Sequence, residues 1–424
     1  MRQVTKRVDE RFARFMDGFA PFADKTTFAV ALSGGADSTA LCLTAKKYAD
    51  KIGAAVLALI VDHRLRPTST QEARDTAAQC RKFDIPCEIL TIENPPRTRI
   101  EENARKLRYD LLFNACKRHQ CFYLLTGHHA RDQAETFVMR KNRKSADRGL
   151  AGINACDSFD FGLLLRPLLD CFPEELKAYD TENGAVWVQD ETNESDAFER
   201  SRLRRTMTKA QIDEALRLTR SYAEKRARSE DEETDFFARY AFFDASGVVF
   251  LNKAAAQSGL QAAWLGDLLR FVGQKPYAPS PESLQTLTER LRNGGFKGAS
   301  LGGCFVSPHG QNGLYVCREA AGMPEIHYEN ARAPRYGMFT FTLSRAFTGT
   351  IRPLVDTKLP EKVDSRLPKR CFRSLPAFFD KQGLFLVPHL RYKRESVACE
   401  TAFAPLRSAG RDFRWIFNKA VKSG

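Results

Sequence analysis

Residues 28–43 read Phe-Ala-Val-Ala-Leu-Ser-Gly-Gly-Ala-Asp-Ser-Thr-Ala-Leu-Cys-Leu. The apolar run at 28–32 predicts a strand and residues 39–43 the opening of a helix, with Ser33, Gly34, Gly35, Ala36, Asp37 and Ser38 between them. A strand that breaks at two glycines and resumes as a helix leaves a ring of backbone N–H groups at a helix N-terminus, which is a phosphate cradle. Glycine lets the main chain approach an anion without a Cβ in the way. Ser33 and Ser38 add hydroxyl donors. Asp37 would repel phosphate unless a divalent cation bridges the two, so Mg²⁺ at Asp37 is implied. The GxxxxGK[ST] pattern is missing, and with it the lysine that works on a γ-phosphate. Cleavage elsewhere on a triphosphate is the expectation.

Outward from this loop, residues 55–61 form an apolar run that ends in Asp62, His63, Arg64, Leu65 and Arg66. Residues 72–83 have helical periodicity, 87–92 read as a strand, 103–116 as a helix and 122–126 as a strand. Strands alternating with helices at this spacing predict right-handed crossovers and a parallel sheet. Ligands of such sheets gather at the C-terminal strand ends. The motifs at 33–38, 62–66 and 127–135 all begin there. Ahead of the first strand, Val4, Val8, Phe12, Phe15 and Phe19 recur at helical spacing among charges, which describes an amphipathic helix and not a signal peptide.

The fourth strand runs into Gly127, His128, His129, Ala130, Arg131, Asp132, Gln133, Ala134 and Glu135. Asp132 and Glu135 are three apart, so on a helix both carboxylates face one way and could hold a cationic substrate beside a nucleotide. They also suit a solvated helix start, where the dipole favours acids. The two histidines have no metal-spaced partners and fit nucleotide contacts or loop structure better than metal ligation. Trp187, Gln189, Asp190, Thr192 and Asn193 precede a run containing Arg200, Arg202, Arg204 and Arg205. These arginines cannot all share one helical face. They are expected to wrap a bulky anion such as a phosphate backbone instead of pairing locally.

Lys and Arg outnumber Asp and Glu by 66 to 52, and residues 358–424 hold 15 of the former against 6 of the latter. A surplus of this size points to a polyanionic partner larger than a nucleotide, with nucleic acid the usual one. The 11 cysteines include no C-x-x-C pair, which argues against close-paired metal and iron–sulfur sites. No run of 18 apolar residues offers a membrane span, and a cytoplasmic location is expected.

The SGGADS loop resembles the pyrophosphate loop of the N-type ATP pyrophosphatases. The wider set narrows that likeness: Val61-Asp62-His63, Ala104-Arg105 with Arg108-Tyr109, Gly127-His128-His129 with the 132–136 DQAET run, Gly149-Leu150-Ala151-Gly152, Arg166-Pro167-Leu168-Leu169, Trp187 with Asp190, Thr192-Asn193, and the arginines from Arg200. Over roughly residues 20–210 these motifs, in this order, resemble the tRNA(Ile)-lysidine synthetase family. The resemblance implies an α/β fold with a doubly wound parallel sheet of the PP-loop ATPase type, Rossmann-like and similar to the adenine nucleotide alpha hydrolases. C-terminal α and α+β tRNA-binding domains would follow. The corresponding bounds are 1–215 for the catalytic domain, 216–235 for a helical connector, 236–322 for a tRNA-bracing domain and 323–424 for a basic tRNA-binding domain.

The resemblance also implies ATP and Mg²⁺, a tRNA(Ile) with a CAU anticodon, and free lysine. ATP would adenylate the C2 oxygen of the wobble cytidine, releasing pyrophosphate, and lysine would then displace AMP to give lysidine. Ser33 to Ser38, Asp62, His63, Gly127 and His128 would contact ATP. Asp37, Arg108, Asp132 and Glu135 would be catalytic, and Arg200, Arg202, Arg204 and Arg205 would contact tRNA. A monomer or homodimer is implied. Two alternatives stay open: another adenylating tRNA modifier such as a thiolase, which would need a sulfur-carrying cysteine such as Cys116 or Cys121, and a divergent tRNA-binding protein without turnover. The sequence departs from the family pattern at Arg131, where an aspartate is common, at Lys144 and Ala146 in a stretch commonly rich in glycine, at Arg64 for glycine and at Ser201 for asparagine.

Overall fold

The run at 28–32 becomes a central strand whose side chains are covered on both faces. In a computed structural model of the protein the described residues are 2–95, 100–145, 147–159, 161–188, 199–275, 277–293, 295–311, 313–359 and 365–403. The chain divides into two compact units, Met1–Arg228 and Ser229–Gly424.

The first unit runs α1 (Arg2–Asp17), β1 (Thr27–Leu32), α2 (Ala36–Ile52), β2 (Ala55–Asp62), α3 (Ser69–Lys82), β3 (Cys87–Thr91), α4 (Ile100–Arg118), β4 (Tyr123–Leu125), α5 (Ala130–Asn142), α6 (Asp147–Leu150), β5 (Cys156–Phe159), β6 (Gly162–Leu165), α7 (Pro173–Glu182) and α8 (Glu199–Thr206). α9 (Lys209–Tyr240) is one continuous helix that contains the stretch 216–235 expected to act as a connector.

The sheet order is β3-β2-β1-β4-β6-β5. β1 pairs in parallel with β2 from Thr27↔Ala55 to Leu32↔Ile60, and with β4 on its other side. Only the β5–β6 pair is antiparallel, closing the sheet with a hairpin that the sequence does not signal. Strands of four residues are too short for a periodicity to develop.

Alternation along β1 sorts the core. Phe28, Val30 and Leu32 meet Val8 and Phe12 of α1, Leu41 and Ala45 of α2, Ala77 of α3 and Leu176 of α7. Ala29 and Ala31 face the other way, toward Leu112 and Ala115 of α4. Helices on both faces confirm the doubly wound arrangement. They also explain why the strands read as unbroken apolar runs.

The second unit begins with an antiparallel sheet built from β7 (Ala241–Phe243), β8 (Val249–Asn252), β9 (Ala299–Leu301), β10 (Cys304–Pro308) and β11 (Gly313–Arg318). Trp264, Leu268 and Phe271 of α10 (Ala262–Gly273) and Leu287 of α11 (Pro281–Arg292) share its core. Beyond residue 323 the elements are strands and two short 3-10 turns, Lys369–Ser374 and Pro388–Leu390; the strands are β12 (Ile326–Ala331), β13 (Arg335–Tyr336), β14 (Phe339–Leu343), β15 (Phe347–Pro353), β16 (Pro376–Asp380), β17 (Gly383–Val387), β18 (Tyr392–Lys393) and β19 (Cys399–Phe403). Their aromatic residues are largely core, with Phe341 and Phe378 fully buried. Among the described residues no helix is long and apolar enough to cross a membrane.

Candidate active site

α2 starts at Ala36 with Gly35 as its N-cap, and no side chain caps its first N–H groups. Those donors are left for something outside the helix. Gly34 has φ +83°, and a Cβ there would come within 2.4 Å of Thr76 Oγ1, so both conformation and space demand glycine. Gly35 has an ordinary extended backbone, and a Cβ on it would meet nothing nearer than Ser33 Oγ at 3.8 Å. Protein packing therefore does not require glycine at 35.

Ser38 turns inward. Its hydroxyl donates to Gly35 O at 2.9 Å and accepts from the Ser33 N–H at 3.1 Å, while Ser33 Oγ stands 3.0 Å away. The hydroxyl expected to serve a ligand thus braces the loop, and Ser33 is the exposed one of the pair. The Gly34 carbonyl accepts from the Val188 N–H at 2.9 Å, which joins the segment beside Trp187 to the loop. Gln189, Asp190, Thr192, Asn193 and Ala146 lie outside the described residues.

Asp37 has one carboxylate oxygen, Oδ1, buried without a partner. The other, Oδ2, lies 3.5 Å from Nε2 of His129. Gly127 presses against the start of α2, where a Cβ would stand 3.1 Å from Asp37 O. His129 is the N-cap of α5 and closes a capping box: its Nδ1 accepts from the Asp132 N–H at 3.3 Å, and Asp132 Oδ2 accepts from the His129 N–H at 3.1 Å. With Nδ1 accepting, the ring proton belongs on Nε2, facing Asp37. Burial opposes charge on this imidazole, but Asp37 and Asp132 outweigh it and raise its pKa. His129 therefore links the phosphate loop to the acidic helix. The neighbouring His128, which the family resemblance implies as an ATP contact, has its imidazole pushed down to about 4 by burial and then by Arg166.

Asp132 and Glu135 share one face of α5, as their spacing predicts. Glu135 is fully buried, and Asp132 is 8% exposed. The arginines depart from expectation. Arg204 donates from Nε to Glu135 Oε1 at 2.9 Å and from Nη2 to Glu135 Oε2 and Asp132 Oδ1, both at 3.2 Å. Arg200 Nε lies 3.3 Å from Glu135 Oε2, and its Nη2 donates to Thr136. Two members of the run thus pair locally, because α8 packs on α5 and buried carboxylates need counter-charge. Burial raises the Asp132 pKa, but His129 and Arg200 overcome it and hold the carboxyl below its usual range. Arg202 and Arg205 are exposed. Arg131, the departure at the family's aspartate position, donates to Arg204 O at 2.7 Å and so fastens α8 in place.

Arg108 does not join the acidic pair. It is partly buried beside His63, its burial lowering its own pKa and its charge helping burial to lower that of His63. His63 Nδ1 is buried without a partner. Asp62 is 98% buried, and its oxygens accept from the Arg64 N–H at 3.1 Å and the Thr70 hydroxyl at 2.8 Å, which shapes the 62–70 turn. Gln133 and Arg140 hold the 149–153 stretch through its backbone, including Gly152 and Ile153.

Asp180 of α7 was not apparent from the sequence. It is fully buried, neither oxygen has a partner, and burial followed by the Asp37 charge raises its pKa to about 8. The folded protein therefore binds this proton more tightly than the unfolded chain does. Between pH 4 and 8 stability falls as pH rises through this group. Asp180→Asn is expected to flatten that decline and to gain roughly 1–3 kcal/mol at pH 8. Urea unfolding midpoints of both proteins across this range check it.

The geometry places an uncapped helix start, a carboxylate with a free oxygen and an acidic pair around one imidazole. The chain matches the PP-loop domain family over residues 4–211. It is 34% identical over 308 residues to the tRNA(Ile)-lysidine synthase of Mesorhizobium japonicum, covering 69% of this chain and 67% of that protein. Against the enzyme of Hyphomonas neptunium it is 32% identical over 292 residues, covering 66% and 79%. With that of the Wolbachia of Brugia malayi it shares 28% over 418 residues, 92% of this chain and 94% of the relative. Shared length and identity of this order mean that the chain belongs to the tRNA(Ile)-lysidine synthase family.

Proposed function

We propose that this protein is an ATP-dependent ligase that adenylates the C2 oxygen of the wobble cytidine in a CAU-anticodon tRNA(Ile) and joins free lysine to it, releasing pyrophosphate and AMP. One observation carries the reading. His129 touches both Asp37 of the phosphate loop and Asp132 of the acidic pair, so nucleotide and amine sites would adjoin.

In this reading the open N–H groups of α2 and the Ser33 hydroxyl hold the phosphates, and Gly35 lacks a Cβ because the ligand takes that space. Asp37, with its unpartnered oxygen, fits a divalent cation, and bound Mg²⁺ would neutralise charge on the departing pyrophosphate. His63 offers an unmet ring nitrogen, and the Arg108 guanidinium beside it a positive charge, to the nucleotide or to the lysine carboxylate. The attacking amine must be neutral, whereas carboxylates favour its protonated form. Asp132 and Glu135 therefore anchor lysine at least partly through its α-amino group. That requires the ammonium to share or take the place of the Arg204 guanidinium. Exposed Arg202 and Arg205, and the basic C-terminal residues, meet the tRNA backbone, and the protein acts in the cytoplasm.

The thiolase alternative finds no support at its named cysteines. Cys116 and Cys121 are each 1% exposed in the core facing α4, and burial pushes the Cys116 thiol up to about 12. Incubation with a tRNA(Ile) transcript, ATP and lysine should yield a wobble nucleoside heavier by one lysine residue. An unmodified cytidine in the mass spectrum, with the tRNA bound, would leave only an RNA-binding protein.

A further inference from the structure

Phe305 of β10 and Cys317 of β11 stand opposite each other in the antiparallel pair, so their side chains share one face of the sheet. The 3-10 turn Lys369–Ser374 approaches β11 to within 8 Å between Cα atoms and brings Cys371 into one buried cluster with Cys317, Val248 and Tyr315. Within that cluster the Cys371 thiol donates a hydrogen bond to the Cys317 sulfur. A disulfide needs Cα atoms about 4.4–6.8 Å apart, so the two sulfurs could join with little movement of the turn.

The two thiols are not equivalent. Cys371 is fully buried, whereas Cys317 borders a cavity of about 140 Å³ that Phe305, Glu319, Arg370 and Arg373 also line. A peroxide is little larger than water, which occupies about 30 Å³ per molecule in the liquid, so the space admits one beside Cys317. Arg373 is paired with Asp356, while the Arg370 guanidinium lies on the Phe305 ring, 3.7 Å from its centroid. The hydrogen bond from Cys371 holds the Cys317 thiol below its usual pKa. Burial and Glu319 oppose that shift, and the Arg370 charge adds to it. At Cys42, Cys116, Cys171 and Cys304 burial wins and raises the thiol. The thiolate is the form that reacts with oxidants, which sets Cys317 apart from these four.

We propose that Cys317 and Cys371 form a reversible redox site, in which a peroxide entering the cavity oxidises Cys317 and Cys371 closes the disulfide. The Cys317 thiolate attacks one peroxide oxygen, the O–O bond breaks, and the leaving hydroxide takes up the thiol's proton, giving a sulfenic acid and water. The Cys371 sulfur then bonds to Cys317 while its proton goes to the departing hydroxyl, releasing a second water. Two thiols thereby lose two hydrogens and two electrons, and the peroxide is reduced to two waters. Cys371 acts as the resolving thiol, which stops Cys317 short of the irreversible sulfinic acid. In a compartment that keeps thiols reduced, disulfides of this kind are transient and redox-sensing. The bond would pin the 3-10 turn to β11 when the protein is oxidised and release it on reduction.

The test uses the full chain, reduced and then freed of reductant. After a few equivalents of hydrogen peroxide, the remaining thiols are alkylated in denaturant and the protein is digested. The expected product is a Cys317–Cys371 cross-linked peptide, lighter by two hydrogens than its two parts, that disappears on treatment with dithiothreitol. The oxidised protein should melt roughly 5–15 °C higher, because the bridge restrains the unfolded chain between residues 317 and 371. Cys371→Ala removes the resolving thiol, so Cys317 should remain a sulfenic acid that dimedone labels. Cys317→Ala should give neither a bridge nor a label at Cys371. Arg370→Gln should slow bridging several-fold. Thermal melting verifies the folding of each variant, and the wild-type peptide map needs no variant. Both thiols still alkylated after peroxide, or a bridge from either to a different cysteine, would overturn the proposal. Turnover is not read in any arm, so failure here leaves the ligase reading untouched, and failure of that reading leaves this site standing.

Discussion

Asp37→Ala should lower ATP-dependent turnover by roughly 10³-fold while leaving tRNA affinity within about twofold of wild type. The aspartate stands in the first turn of α2, at the uncapped end, with an oxygen that nothing in the protein satisfies. A buried carboxylate oxygen without a partner is costly unless a ligand or cation completes it. Removing it takes away the group proposed to hold Mg²⁺ and leaves the arginine surfaces untouched. Gly35→Ala supplies the contrast. Its backbone is ordinary and its Cβ would have room, so stability should change by less than about 1 kcal/mol. ATP use should nonetheless collapse, because the methyl group would enter the phosphate cradle. Pyrophosphate release and urea unfolding, measured on both variants, check the pair. An active Gly35→Ala enzyme would show that phosphate does not lie against this turn.

Much of this loop was legible before any coordinates, because its signals are local. A strand, two glycines and a helix start are contiguous in sequence, and β1 and α2 form where residues 28–43 place them. The same holds for Asp132 and Glu135, whose shared face follows from helical spacing alone. What escaped the sequence is what the tertiary fold brings together. Arg204 reaches Glu135 across 69 positions, and no spacing rule announces that pairing. Arginines in an irregular run looked free for an outside anion, yet two of them neutralise the buried acids of α5. Ser38 and Asp62 looked like ligand groups by type, and instead their hydrogen bonds build turns. Asp180 gave no signal, since a lone acid near a helix C-terminus reads as solvated. The hairpin of β5 and β6 was equally silent, being two short segments defined by their neighbours.

Glu135→Ala is expected to cost the Met1–Arg228 unit about 3 kcal/mol, at the low end of the range for breaking a buried ion pair because both arginines are partly exposed. For a unit of this length that corresponds to a fall in Tm of roughly 6–12 °C. The loss has a definite source: two guanidiniums would face a site emptied of its deepest carboxylate. Arg204→Ala removes the opposite partner and should cost less, since Arg200 still approaches Glu135. The two variants should part company when lysine is added. In Arg204→Ala the carboxylates survive with a cation place vacated, and an ammonium can fill it. Lysine at about 100 times its Kd would return up to about 2.7 kcal/mol. Its effect on Tm should therefore exceed that seen in wild type, where Arg204 already sits on both acids. Glu135→Ala should show no lysine response and a lysine KM raised by roughly 10- to 100-fold, the consequence of losing a charged hydrogen-bond partner worth up to about 3 kcal/mol. If lysine shifts the Tm of Arg204→Ala and of wild type equally, the acidic pair serves only to dock α8, and the amine is held elsewhere.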